Sequence, residues 1–169
     1  MRFIYRLGET VLVFMSFMDC IRNANAQDAN ATIWQLRLNV SSADWASLQS
    51  DPRMNDQTIN GTLTGFLGSE QKIPPQSAKI ELHGQSARQW PKLSYKIGFK
   101  PKLRVAGLLG DEQPNVEKIS AVVLKSSWVD PLFIREQLVF RATRRLGGLA
   151  PRFNLVELYI NGEYDSPAP

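Results

Sequence analysis

Residues 81–100 read ELHGQSARQWPKLSYKIGFK, a stretch that holds Arg88, Lys92, Lys96, Lys100 and His83. It divides into two strand-like runs, SAKIELHG (77–84) and KLSYKIGFK (92–100), joined by GQSARQWP (84–91). Side chains of an extended segment alternate between faces. After Pro91, Lys92, Ser94, Lys96, Gly98 and Lys100 are therefore expected on one face, and Leu93, Tyr95, Ile97 and Phe99 on the other. The apolar set would pack on a core, and the ammonium groups would line the opposite face at a spacing of roughly 7 Å. Gly84, Gln85, Ser86, Ala87 and Arg88 precede them as a small-residue loop whose backbone N–H groups could reach an anion. A glycine loop feeding a lysine-bearing strand is a workable phosphate cradle. The competing reading is a solvated strand face guarded by lysines against edge pairing. A nucleic-acid platform wants aromatics beside the cations, whereas Tyr95 and Phe99 fall on the opposite face, so no nucleic-acid partner is expected.

The same periodicity reads outward along the chain. IWQLRLNV (33–40) alternates as a half-buried strand, and SSADWASLQS (41–50) follows as a short helix capped by Ser41 or Ser42. DPRMNDQ (51–57) is a loop, and TINGTLTGFL (58–67) a strand or hairpin with Asn60-Gly61 as a turn candidate. ISAVVLKSS (119–127) is apolar enough for a buried central strand. A longer helix is expected next, with Asp130 as N-cap, Pro131 in its first turn and Gly147-Gly148 as the stop. Leu132, Leu138, Val139, Ala142 and Leu146 form its apolar stripe, and Arg141, Arg144 and Arg145 suit the negative end of its dipole. FNLVELYI (153–160) is a strand and Asn161-Gly162 a type I′ turn. The expected class is α+β, strand-rich, with one long helix.

The 169 residues carry a net charge of +4 and 43% apolar residues, an ordinary globular composition for one domain. The N-terminus reads as a secretory leader. Arg2 and Arg6 precede the apolar TVLVFMSFM (10–18), and Ala24-Asn25-Ala26 is a small-x-small cleavage site. The apolar run is too short to span a bilayer, so no stable membrane span is expected. Residues 1–26 are assigned to the leader and 27–169 to the mature domain, exported to the medium, periplasm or cell surface. Removal of 1–26 would take away Cys20, the only cysteine, and leave His83 as the only histidine. That excludes disulfides, thiol nucleophiles and His/Cys zinc sites, and no metal site is expected. No G-x-S-x-G elbow is present for a serine hydrolase.

Three blocks then carry a resemblance: HGQSARQWPKLSYKIGFK (83–100), VLKSSWVDPLFIREQLVFRATRRLG (123–147) and APRFNLVELYINGEY (150–164). In this order they resemble the N-terminal half of the CotH kinase family, named for spore coat protein H. Its members carry R-G-x-S-S-R-x-x-P-K-K-S-Y-(R/K), a D-x-x-x-x-R helix start and V-E-(L/V)-Y-(I/V)-N-G-x-Y. The resemblance implies an atypical protein-kinase-like fold and transfer of phosphate from ATP, with Mg²⁺, to a secreted protein. It implies that Gly84, Ser86 and Arg88 cover the nucleotide phosphates, that Lys92 or Lys96 holds phosphate oxygens, and that Arg135 pairs with a carboxylate or reaches phosphate. Asp130 matches the helix-start block but reads first as a cap. His83, Ala87 and Leu93 depart from the pattern, and His83 reads as a strand-end residue rather than a base. No catalytic residue is assigned: family members continue past the N-G-x-Y turn, and their metal-binding and catalytic acids lie there. The expectation is accordingly a truncated member, inactive alone, whose LVELYI strand lacks a hairpin partner and forms an exposed edge. The alternative is a non-catalytic secreted coat or envelope protein that uses the fold to bind partners.

Overall fold

In the computed structural model the described residues are 2–7, 10–15, 33–109, 116–126 and 135–165. Nine strands account for most of them: β1 (Arg2–Leu7), β2 (Thr10–Met15), β3 (Trp34–Val40), β4 (Thr58–Leu67), β5 (Glu70–Leu82), β6 (Tyr95–Val105), β7 (Glu117–Ser126), β8 (Leu155–Ile160) and β9 (Glu163–Tyr164). They form one sheet in the order β1-β2-β7-β6-β5-β4-β3-β8-β9. Pairing of Arg2 with Val156 and of Phe3 with Leu155 brings the first strand back to the eighth, so the sheet curls upon itself. Among the described residues two helices accompany the strands, α1 (Ser42–Gln49) and α2 (Arg135–Arg145), of 8 and 11 residues.

This is a mostly β protein, and the α+β expectation with one long helix is corrected. No long helix occurs among the described residues, while β4, β5 and β6 run to 10, 13 and 11 residues. Asn60-Gly61 is not a turn. It lies inside β4, where a Cβ on Gly61 would sit 2.6 Å from Val40 Cγ1 and 2.8 Å from the Asn39 carbonyl oxygen, so glycine serves close packing there. The chain reverses at Gly68, whose φ is +63°.

The inner face carries the core. Trp34, Leu36 and Leu38 of β3 meet Leu63 of β4, Ile80 of β5, Ile97 of β6 and Leu158 of β8, all buried. The β3 alternation thus has its expected sense, as has the buried central strand: Ala121, Val122, Val123 and Leu124 of β7 are all buried. The Ser41 hydroxyl caps α1 by accepting from the Asp44 N–H at 3.0 Å. At the other end the buried Asn55 amide donates to the carbonyls of Ser47, Leu48 and Ser50, satisfying the groups that a helix terminus leaves open.

Two further expectations change. LVELYI is not an exposed edge: β8 lies parallel to β3, from Trp34 opposite Val156 to Leu38 opposite Ile160, while β9 covers its other side at Tyr159 and Ile160. The α2 stripe does not face the core, since Leu138, Val139 and Leu146 are exposed. The helix is anchored instead by Phe140, whose ring lies 6.4 Å from that of buried Phe153, and by the Arg144 guanidinium bonded to the Pro151 carbonyl. Gly147 (φ +80°) ends it, with the Gly147 N–H on Arg144 O and the Gly148 N–H on Thr143 O, a Schellman stop. Asp130, Pro131 and Leu132 lie outside the described residues, as does the 24–26 cleavage site. Residues 2–7 and 10–15, read as leader, form β1 and β2, and β2 runs parallel to β7. No helix among the described residues is long and apolar enough to cross a membrane.

Candidate functional site

The run around Lys92 does not follow strand alternation, because β6 begins only at Tyr95. Lys92, Leu93 and Ser94 are all buried, and Lys92 is only 7% exposed. Two serines pin this segment to the end of β7. The Ser126 hydroxyl donates to the Lys92 carbonyl at 2.7 Å, and the Ser126 N–H donates to the Ser94 hydroxyl at 3.0 Å. The Ser94 carbonyl in turn accepts from the His83 N–H. So held, the Lys92 ammonium turns to the sheet end where the β8–β9 hairpin closes. It donates to the Asp165 carbonyl at 2.6 Å, with the Asp165 carboxylate 4.0 Å away. An ammonium taken from water needs such partners.

The Asn161-Gly162 turn that carries Asp165 is fixed from both sides. Asn161 (φ +51°) and Gly162 (φ +87°) adopt the left-handed conformations of a type I′ turn. Asn161 accepts from the Val40 N–H through its side chain and donates its own N–H to the Leu38 carbonyl. The Asp165 N–H bonds back to Leu158 O. Facing this hairpin, α1 supplies Trp45 and Gln49. The Gln49 amide donates to the Tyr95 hydroxyl at 3.0 Å, and the Trp45 and Tyr95 rings meet at 5.3 Å, inclined by 46°.

Between these parts lies a hollow of about 540 Å³ whose walls include Trp45, Gln49, Lys92, Tyr95, Tyr164 and Asp165. Its size suits a small-molecule site. It offers one buried ammonium, the carboxylates of Glu163 and Asp165 at the rim, amide groups and an aromatic wall. Among the described residues no three His, Cys, Asp or Glu side chains converge as a metal cluster.

The other residues singled out in the sequence lie elsewhere. Lys96 sits on the opposite face of β6, paired across to Glu81 at 2.6 Å. Gly84 (φ +81°) is exposed in the loop before a short 3-10 turn, Ser86–Gln89, and Ser86 is exposed at its start. Arg88 points into the fold: Nη1 donates to the Asn55 carbonyl at 3.1 Å and the Asp56 carboxylate at 2.7 Å, and Nη2 to the Leu82 carbonyl at 3.2 Å. Arg135 is exposed at the start of α2. His83 stands among Lys96, Lys125, Arg88 and Glu81, with Lys125 paired to Glu136 at 2.5 Å. Burial, then the Lys96 and Lys125 ammoniums, holds its pKa below the ordinary 6.5. Of the six residues assigned to nucleotide, only Lys92 faces the hollow. Sequence reasoning missed Trp45, Gln49, Tyr164 and Asp165, because a parallel pairing of β3 with β8 leaves no local signal.

No curated protein matches the chain. The family model described as CotH kinase protein matches residues 80–165, just over half of the sequence. That span holds the pinned Lys92 segment, β6, β7, α2 and the β8–β9 hairpin, and the chain belongs to the CotH kinase family.

Proposed function

We propose that the chain supplies the nucleotide-holding part of a CotH-type phosphotransfer site, using ATP with Mg²⁺ and an exported protein as acceptor. One observation carries the reading: a buried lysine ammonium turned into a hollow of nucleotide size, opposite an aromatic wall. Lys92 would neutralise charge on the phosphate oxygens, exchanging its bond to the Asp165 carbonyl for a charge-assisted one. The Trp45–Tyr95 wall suits the flat base of a nucleotide. Mg²⁺ takes one or two carboxylates together with phosphate oxygens, and Asp165 and Glu163 are of that kind. When bound, ATP would supply the phosphoryl group, and positioning and charge neutralisation would be this chain's share of the chemistry. Export rests on Arg2, Arg6 and the apolar run that follows them.

Thermal melting with Mg-ATP tests the reading. At ten times Kd the nucleotide should stabilise the fold by about 1.4 kcal/mol, which raises the melting temperature of a domain this size by about 3–6 °C. Lys92→Met should remove that rise. A wild-type melt indifferent to millimolar nucleotide would overturn the proposal and leave the fold as a non-catalytic binding module.

A further inference from the structure

On the outer face of the sheet, β6 presents Gly98 between Lys96 and Lys100, opposite Lys79 of β5. Lys79 is itself opposite Asn60 of β4. A methyl group on Gly98 would meet nothing nearer than the Lys79 carbonyl oxygen at 3.9 Å, so the missing side chain leaves a dent in that face. The dent is the floor of a second hollow, of about 390 Å³, walled by Asn60, Ser77, Lys79, Lys100 and Ser120. It lies across the sheet from the Lys92 hollow and shares no lining residue with it.

Its charge is unbalanced. Among the described residues neither the Lys79 nor the Lys100 ammonium has a hydrogen-bond or ion-pair partner. Beyond the irregular Lys100–Lys102 segment, Arg104 of β6 lies directly opposite Lys118 of β7, both exposed and likewise without a partner. Like charges opposite one another on neighbouring strands destabilise a sheet. A strand face that keeps two unpaired cations around a glycine dent, and two more farther along the same strands, with an amide and two hydroxyls lining the dent, has the chemistry of an anion seat. Edge protection does not account for it, because β5, β6 and β7 are all interior strands.

We propose that this hollow binds a tetrahedral oxyanion, the phosphate or sulfate group of an extended polyanion whose further charges lie against Arg104 and Lys118. The glycine admits the anion to the sheet surface, Lys79 and Lys100 flank it, and Asn60 and Ser77 stand within the same hollow to donate hydrogen bonds. The site is separate from the nucleotide reading and stands or falls without it.

Calorimetric titration of the full chain carrying Lys92→Met, so that the Lys92 hollow takes no phosphate, with inorganic tripolyphosphate and with a heparin hexasaccharide at low salt, tests the proposal. At least one probe should bind, and its affinity should fall steeply with added salt. Gly98→Val fills the dent without changing charge, and Lys79→Gln/Lys100→Gln removes the flanking cations. Each, added to Lys92→Met, should weaken binding tenfold or more, on the order of two lost charge-assisted contacts. Tighter binding of tripolyphosphate would assign the site to phosphate, and of the hexasaccharide to sulfate. Absence of binding by both probes overturns the proposal. So does binding to the Lys92→Met chain that survives the lysine pair. If Gly98→Val fails to fold, the soluble lysine pair decides alone.

Discussion

Arg88→Ala separates a structural role for this guanidinium from a phosphate-binding one. Arg88 joins the loop after α1 to the end of β5 through the carbonyls of Asn55 and Leu82, and its side chain is 14% exposed. Bonds from a charged donor to such carbonyls contribute about 1.5–3 kcal/mol each. The Asp56 carboxylate is 86% exposed, so that ion pair adds less than about 1 kcal/mol. Against this, Nε is buried without a hydrogen-bond partner, an offset of about 1–3 kcal/mol that the substitution relieves. The balance is a loss of about 2–3 kcal/mol, equivalent to about 4–12 °C in melting temperature. Urea and thermal unfolding of Arg88→Ala should show it, and Asp56→Ala should shift stability by less than about 1 kcal/mol. Nucleotide affinity, measured well below the melting range, should stay as in the wild type. A variant that melts like the wild type but no longer responds to Mg-ATP would refute the reasoning and return Arg88 to the phosphates.

Gly61→Ala should cost about 1–3 kcal/mol by overpacking, since the added methyl would press on the Asn39 carbonyl as well as on Val40 and Ile80; chemical denaturation measures the loss. His83 gives stability a pH dependence of known sign. Its folded pKa lies below 6.5, so the unfolded chain binds the proton more readily, and the stability contributed by neutral His83 is present above pH 6.5 and lost as pH falls from there toward the folded value. Unfolding curves between pH 7.5 and 5 should show this loss, and His83→Gln should flatten that part of the profile. A His83→Gln profile parallel to the wild type would refute the assignment.

What was legible in the sequence is what is decided within a few residues. The alternation of Trp34, Leu36 and Leu38, the Ser41 cap, the apolar run of β7 and the Asn161-Gly162 turn each depend on near neighbours. The Asn60-Gly61 turn failed because the same dipeptide also serves where a neighbouring strand presses in. Lys92 was placed among strand lysines because the pattern could not show that β6 starts three residues later, or that two serines draw the preceding segment inward. Its hollow is closed by α1 and the β8–β9 hairpin, which only tertiary pairing brings together.

That pairing bears on how the chain is made. Gln35 meets Glu157 across 122 positions, so the seam between β3 and β8 stays open until residue 157 has emerged. Such distant partners are slow to find one another, and a chain kept waiting for β8 remains pliable for longer. The stitch that joins β3 to β8 is therefore sewn late, and until then the β3 edge that β8 will cover stays open to other partners.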